Sequence, residues 1–287
     1  MKSIVSVSII AANYNNGRYL PEFIESIINS TVLPQELIII DDGSTDESLS
    51  VLDRFSELNF LKVIRFYQNR GLTSALNAGL DIATGKYIMR ADPDDLVHAE
   101  RIERQFQFME ENPEVDVVGC NVIYFNDISG KTINISNFPL CHAEIAHTFR
   151  RGEHGLQHPT AFVRSNVFNS YRYQQIFPGE DYELFARMVK DGCRFANIKD
   201  PLYLMRVHPG SSTSNIKPEA IRQTFEFRDQ IFGIKTSAFK SYIYYLHIHH
   251  YRGYQLAGKG IVKYIHLFIS AIMYPAKVFR RLYTRRN

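Results

Sequence analysis

No stretch of 18 or more uncharged apolar residues occurs in this 287-residue chain, so a membrane-crossing helix is not expected. The first residues carry one base but no apolar core and no cleavage pattern, so a secretory signal is not expected either. Cysteine is scarce: Cys120, Cys141 and Cys193 form no CxxC pair and no zinc spacing, which leaves a reduced compartment and three small buried hydrophobes as the simple reading. The loop after the first apolar run, residues 13–17, has neither GxGxxG nor a glycine-rich stretch bearing Lys or Arg. That argues against a dinucleotide enzyme and against a nucleotidyltransferase. Acid is missing from the end of the chain, where residues 236–287 hold nine of the 33 bases and none of the 30 acids. What precedes them is mildly acidic, and such an asymmetry points to an anionic partner for the tail.

What is present is the pattern of an α/β protein. Residues 5–11 (VSVSIIA), 37–40 (LIII), 61–66 and 87–89 are short apolar runs rich in β-branched side chains. Helical spacing separates them at 19–28 and 72–83, and Thr45 is placed to cap a helix between the second and third runs. Strands that are apolar throughout, alternating with helices, give a mostly parallel sheet covered on both faces. In such folds ligands gather beyond the carboxyl ends of the strands. Three polar clusters fall there: residues 13–17, Asp41-Asp42-Gly43-Ser44 and Asp92-Pro93-Asp94-Asp95. Further on, 100–111 and 181–191 read as helices, with Gly192 capping the second. Residues 115–125, 158–164 and 202–207 read as strands.

Carboxylates are hard oxygen ligands suited to Mg²⁺ or Mn²⁺, and those ions in turn bridge phosphates. Asp92, Asp94 and Asp95 fit that chemistry, but Asp94 or Asp95 would serve equally as the N-cap of a helix starting near Leu96. Asp41 can accept hydrogen bonds from a ribose or a base, and Tyr14 can stack on one. Asp42 and Ser44 can be turn residues only. Glu180-Asp181 can supply a general base, or an acidic pair at a helix start. His208 can bind a metal or phosphate. Arg70 and Arg90 can reach a phosphate or lie in solvent. His158-Pro159-Thr160 can line an acceptor site or form a structural turn.

Taken in order, these segments resemble the family 2 glycosyltransferases, whose nucleotide-binding fold is called GT-A. The resemblance is carried by Tyr14-Asn15, Ile40-Asp41-Asp42-Gly43-Ser44, Asn69-Arg70-Gly71-Leu72, Gly85-Lys86-Tyr87-Ile88, Ala91-Asp92-Pro93-Asp94-Asp95, Gly179-Glu180-Asp181-Tyr182 and Tyr203-Leu204-Met205-Arg206-Val207-His208, within residues 4–214. It implies a GT-A Rossmann-like sheet flanked by helices, to which the charge asymmetry adds a C-terminal basic helical appendage. The domains expected are a catalytic domain over 1–235, split into a nucleotide half (1–95) and an acceptor half (96–235), and a tail over 236–287. It implies an inverting, Mn²⁺- or Mg²⁺-dependent hexosyltransferase. Ala12, Tyr14, Asp41, Arg70, Asp92 and Asp94 would hold the UDP-sugar, and Asp94, Asp92 and His208 the metal. Asp181 would be the base, with Glu180 and His158 toward the acceptor. Pro93 departs from the small residue usual in the DxD motif, but the carboxylates remain. The acceptor expected is a lipid-diphosphate-linked saccharide for O-antigen or capsule assembly. A non-catalytic nucleotide-binding relative is the rival reading.

The tail alternates bases and aromatics, and 261–274 is an apolar run too short to span a bilayer. It suits an amphipathic helix on an anionic membrane surface, at the inner face of the cell membrane, or a helix pair packed on the protein. The acidic body argues against nucleic acid.

Overall fold

The computed structural model describes residues 2–279 except 177, 209–216, 258–259 and 276. The chain packs as two units, residues 1–211 and 212–287. The packing break thus falls ahead of residue 235, where the charge changes.

In the first unit the apolar runs become parallel strands: β1 (Ile4–Asn13), β2 (Leu33–Asp41), β3 (Leu61–Arg65) and β4 (Tyr87–Arg90). Between them run α1 (Leu20–Ile28), α2 (Ser48–Arg54) and α3 (Leu72–Ile82). Four successive side chains of β2, Leu37, Ile38, Ile39 and Ile40, are all fully buried. Successive residues of a strand point to opposite faces, so only a sheet covered on both sides allows this. Gly79 of α3 lets that helix sit directly on the sheet, since a Cβ there would lie 2.6 Å from Ile10 and 2.8 Å from Ile40. Thr45 is not the cap of α2. That helix starts later, at Ser48, whose N–H donates to Asp46.

The rest of the unit adds β5 (Leu96–Val97), α4 (Arg101–Glu111), β6 (Val117–Asn126), β7 (Thr132–Ile135), α5 (His142–Arg150), β8 (Phe162–Arg164), α6 (Glu180–Lys190) and β9 (Phe195–Val207). The strand order is β3-β2-β1-β4-β8-β6-β9-β5, with β7 paired to β6. The expected strand over 158–164 is split: His158–Thr160 is a tight 3₁₀ turn and only Phe162–Arg164 pairs, antiparallel to β4 and β6. Pro159 in that turn has no N–H to give a ladder. The order reverses between β1 and β4, and a crevice opens at the carboxyl ends of strands at such a point. Parallel register sets Asn13 beside Asp41 and Ile10 beside Arg90, so the polar clusters share that edge. The three cysteines are free, but only Cys120, inside β6, is buried; Cys193 is half-buried and Cys141, just ahead of α5, is exposed.

The second unit is helical: α7 (Pro218–Phe232), α8 (Ala238–Leu256, capped by Ser237) and α9 (Ile261–Met273). α8 and α9 meet through His247–Ser270 (2.9 Å) and His250–His266 (3.0 Å). Along α9, Ile261, Ile265, Phe268 and Ile272 are exposed. Among the described residues no helix is long and apolar enough to cross a membrane. The tail bases Arg280, Arg281, Arg285 and Arg286 lie outside the described residues.

Candidate active site

Strand β4 ends at Arg90, and the chain turns sharply through residues 92–95, with the Asp95 N–H donating to the Asp92 carbonyl (3.2 Å). Strand β5 follows at once, so no helix starts near Leu96 and neither Asp94 nor Asp95 is an N-cap. Carboxylate oxygens of Asp92, Asp94 and Asp95 lie within 4.8 Å of one another. β5 pairs with β9, which brings the end of β9 alongside the turn. There His208 Nε2 stands 3.2 Å from Asp94 Oδ2.

The three acids are not equivalent. Asp95 is 3% exposed, and its Oδ1 accepts the Arg206 N–H (2.7 Å). Burial, then the charges of Asp94 and Asp92, push its carboxyl well above the usual range. Asp95 therefore braces the turn from inside. Asp94 is raised too, by burial and then by Asp92, as expected where acids are crowded with too little positive charge. Asp92 is ion-paired to Arg90, and its backbone N–H donates to the Tyr203 hydroxyl (2.9 Å). Asp92, Asp94 and His208 gather two carboxylates and an imidazole after the end of β4. That is a donor set that fits a hard divalent cation carrying phosphate.

At the end of β1 and β2, Asp41 accepts from Asn13 Nδ2 (2.8 Å) and from the Ser44 N–H (3.0 Å). Its carboxylate is thus held still at the strand edge. Tyr14, beside Ala12 and Asn13, is 47% exposed and open to a stacking partner. Asp42 is a loop brace, accepting the N–H groups of Arg70 (2.7 Å) and Gly71 (2.9 Å). The exposed Arg70 lays its guanidinium over Phe66, 4.6 Å from the ring centre.

The second acid pair stands at the start of α6. Gly179 there has φ 104°, a left-handed conformation that favours glycine. Asp181 Oδ1 accepts the Tyr182 N–H (2.7 Å), and His154 Nδ1 stands 3.6 Å from Oδ2. Burial alone would raise Asp181, but His154, His158 and backbone N–H groups outweigh it and hold the carboxyl below its usual range. Glu180 goes the other way. It is 7% exposed, its Oε2 has no hydrogen-bond partner, and burial followed by the Asp181 charge raises it to about 7. His158 is buried, with Nε2 2.7 Å from the Tyr173 hydroxyl. Burial and then Arg90 lower it to about 4, so it is neutral at physiological pH. His158 and Tyr173 both feel the charges of Asp92 and Asp181, so the two acid sets act on one shared interior.

Arg90 neither reaches out to a phosphate nor lies in solvent; it is 4% exposed and paired to Asp92. Other members of this frame stand outside the candidate site residues that the sequence offers. Arg101 is fully buried, donating to the Arg90 carbonyl (3.0 Å) and to Gln105 (2.8 Å) under the ring of Tyr203. Tyr203, Tyr173, Asp127 and His154 belong with it. No short spacing in sequence joins residue 203 to residue 92; only the β5–β9 pairing does.

The model of the family "Glycosyl transferase family 2" matches residues 8–172. The amylovoran biosynthesis glycosyltransferase AmsE of Erwinia amylovora is 34% identical over 212 residues, covering 73% of this chain and 78% of the relative. The Escherichia coli UDP-Gal:alpha-D-GlcNAc-diphosphoundecaprenol beta-1,3-galactosyltransferase is 31% identical over 203 residues, covering 69% and 73%. Among solved structures, S. aureus TarS 1-349 in complex with UDP superposes with a TM-score of 0.62 at 20% identity, covering 97% of this chain and 82% of that one. The likeness in structure is one of fold: a GT-A sheet flanked by helices, followed by C-terminal helices.

Proposed function

The chain belongs to glycosyl transferase family 2, and from that footing we propose that it is an inverting, metal-dependent hexosyltransferase. It moves a hexose (glucose, galactose or N-acetylglucosamine) from a UDP-sugar to a lipid-diphosphate-linked saccharide during cell-surface polysaccharide assembly. The observation that supports this reading is that two acid sets, a crowded one after β4 that is short of positive charge and one at the start of α6 holding an ionised carboxylate, both act on the buried His158 and Tyr173. A matching acceptor class appears in the name of the E. coli relative, and polysaccharide synthesis in that of AmsE.

Asp94, Asp92 and His208 would hold Mn²⁺ or Mg²⁺. Bound there, the ion supplies neutralising charge to a departing diphosphate. Asp41 accepts from the uracil or ribose and Tyr14 lies against the base, with Ala12 beside them. Arg70 swings from Phe66 toward the diphosphate. Asp181 takes the proton from the acceptor hydroxyl as that oxygen attacks the anomeric carbon from the face opposite UDP. One displacement with one base inverts the centre. Glu180, whose proton is held up to about 7, lies toward the acceptor. His158, held by the Tyr173 hydroxyl, lies toward the acceptor with it.

The tail carries an anionic membrane surface as its partner, at the inner face of the cell membrane. Its support is the acid-free stretch 236–287 and the exposed apolar stripe of α9.

The test is UDP release from a panel of UDP-sugars, with and without a synthetic lipid-diphosphate-GlcNAc. The acceptor should accelerate release with one sugar and become glycosylated. Equal rates with and without it would reject the acceptor class. Flotation with anionic vesicles should carry the protein upward, and failure to float would reject the membrane partner.

A further inference from the structure

Arg206 lies two residues before His208 and binds no ligand in the reading above, yet it reaches both the acid turn and the elements around it. Its side chain is 6% exposed. Nε donates to the Asp94 carbonyl (2.9 Å), one terminal nitrogen to Asp127 Oδ1 (2.9 Å) and the other to Glu22 Oε2 (2.6 Å). Its backbone N–H donates to Asp95 Oδ1 (2.7 Å). The guanidinium is stacked between two rings, 4.9 Å from the centres of both Tyr19 and Phe125. Tyr19 in turn lies 5.2 Å from the His208 ring. One side chain thus ties α1, β6, the acid turn and the end of β9 together.

We propose that Arg206 is the positioning residue of the cation site, fixing the acid turn and His208 in the one arrangement that lets Asp92, Asp94 and His208 close on a divalent ion. The inference rests on the metal reading given above. Three features support it. Carboxylates within 4.8 Å repel, so without a cation the turn would open unless something held its backbone. Arg206 holds Asp94 by its carbonyl and leaves both side-chain oxygens to other partners. Its own charge is already matched by Asp127 and Glu22, so it shapes the site without neutralising the ligands. The planar fork matters here. A lysine would keep the charge but could not reach Asp94, Asp127 and Glu22 together from between two rings.

Arg206→Lys tests this in the full chain, by paramagnetic resonance of free Mn²⁺ titrated in the presence of UDP. Mn²⁺ affinity should fall about tenfold or more, the range seen when groups that orient metal ligands are lost. Transfer should return to near the wild-type kcat once Mn²⁺ is raised to saturation, a recovery that general misfolding would not allow. Should circular dichroism show that Arg206→Lys does not fold, Glu22→Gln decides, because Glu22 is the open end of the brace, with its side chain 60% exposed. That variant should weaken Mn²⁺ by about tenfold, the low end of the same range. Unchanged Mn²⁺ affinity in the variant that folds overturns the proposal. So does a loss of transfer that saturating Mn²⁺ leaves in place. A wild-type chain that takes up no Mn²⁺ in the presence of UDP would sink the metal reading, and this inference with it; wild-type uptake with unchanged variants sinks this inference alone.

Discussion

The turn at 92–95 and the acid pair at 180–181 are built from the same side chain chemistry and end up with opposite characters. Around the turn most partners are fixed cations and backbone: Arg90 on Asp92, Arg206 on Asp95 and on the Asp94 carbonyl, with the His208 imidazole on Asp94. The two arginines keep their charge near neutral pH. The turn is therefore a rigid anionic seat. Around Asp181 the partners are imidazoles, those of His154 and His158, and a neighbouring carboxyl raised to about 7. Of these, the Glu180 carboxyl holds its proton up to about 7, while the buried His158 stays neutral at physiological pH. Two acids whose surroundings push them apart can divide acid and base roles between them. Composition alone cannot separate a seat from a proton exchanger; the neighbours do.

Asp181→Asn breaks this contrast most sharply. It should cut kcat about a thousandfold, within the span of general-base catalysis. Mn²⁺-dependent UDP binding, measured by calorimetry, should match wild type. Asp94→Asn should do the reverse, with transfer down about a hundredfold at low Mn²⁺ through lost charge stabilisation. Here the same calorimetry should show the binding defect.

Glu180 sharpens the contrast through pH. Burial and Asp181 hold its proton up to about 7 against an ordinary 4.5. Between those values the folded chain keeps a proton that the unfolded chain has lost. The contribution to stability is full below pH 4.5 and is lost as pH rises through 7, amounting to about 3 kcal/mol. Glu180→Gln should flatten that decline, seen as a Tm that exceeds wild type above pH 7 and not at pH 4.5. The smallest effect expected is that of Tyr203→Phe. It leaves the Asp92 N–H without its acceptor inside the protein, which costs about 1–2 kcal/mol in a denaturant melt and barely changes kcat.

Much of this was legible in the sequence, for a physical reason. β1 to β4 announce themselves because strands covered on both faces are apolar throughout, and the ligand edge follows from their direction. Asp41, Asp92, Asp94 and Asp181 could be picked out because each directly follows a recognisable element boundary. The frame behind them could not. Arg101 sits on a helix whose sequence looks polar on its faces, yet Arg101, Ile102, Gln105 and Met109 form its buried side. A buried arginine is recognised only by its partners, here the Arg90 carbonyl, Gln105 and the Tyr203 ring, which come from distant segments. The ambiguity of Asp95 was of the same kind. Whether it capped a helix or braced a strand depended on β9, far along the chain, where the Arg206 N–H meets its carboxylate.

The most direct test of the account is UDP release from UDP-glucose, UDP-galactose and UDP-GlcNAc by the full chain, first with Mn²⁺ and then with excess EDTA. Release from one of the three in Mn²⁺, abolished by EDTA and restored by added Mn²⁺, is the predicted result. An undiminished rate in EDTA would contradict it.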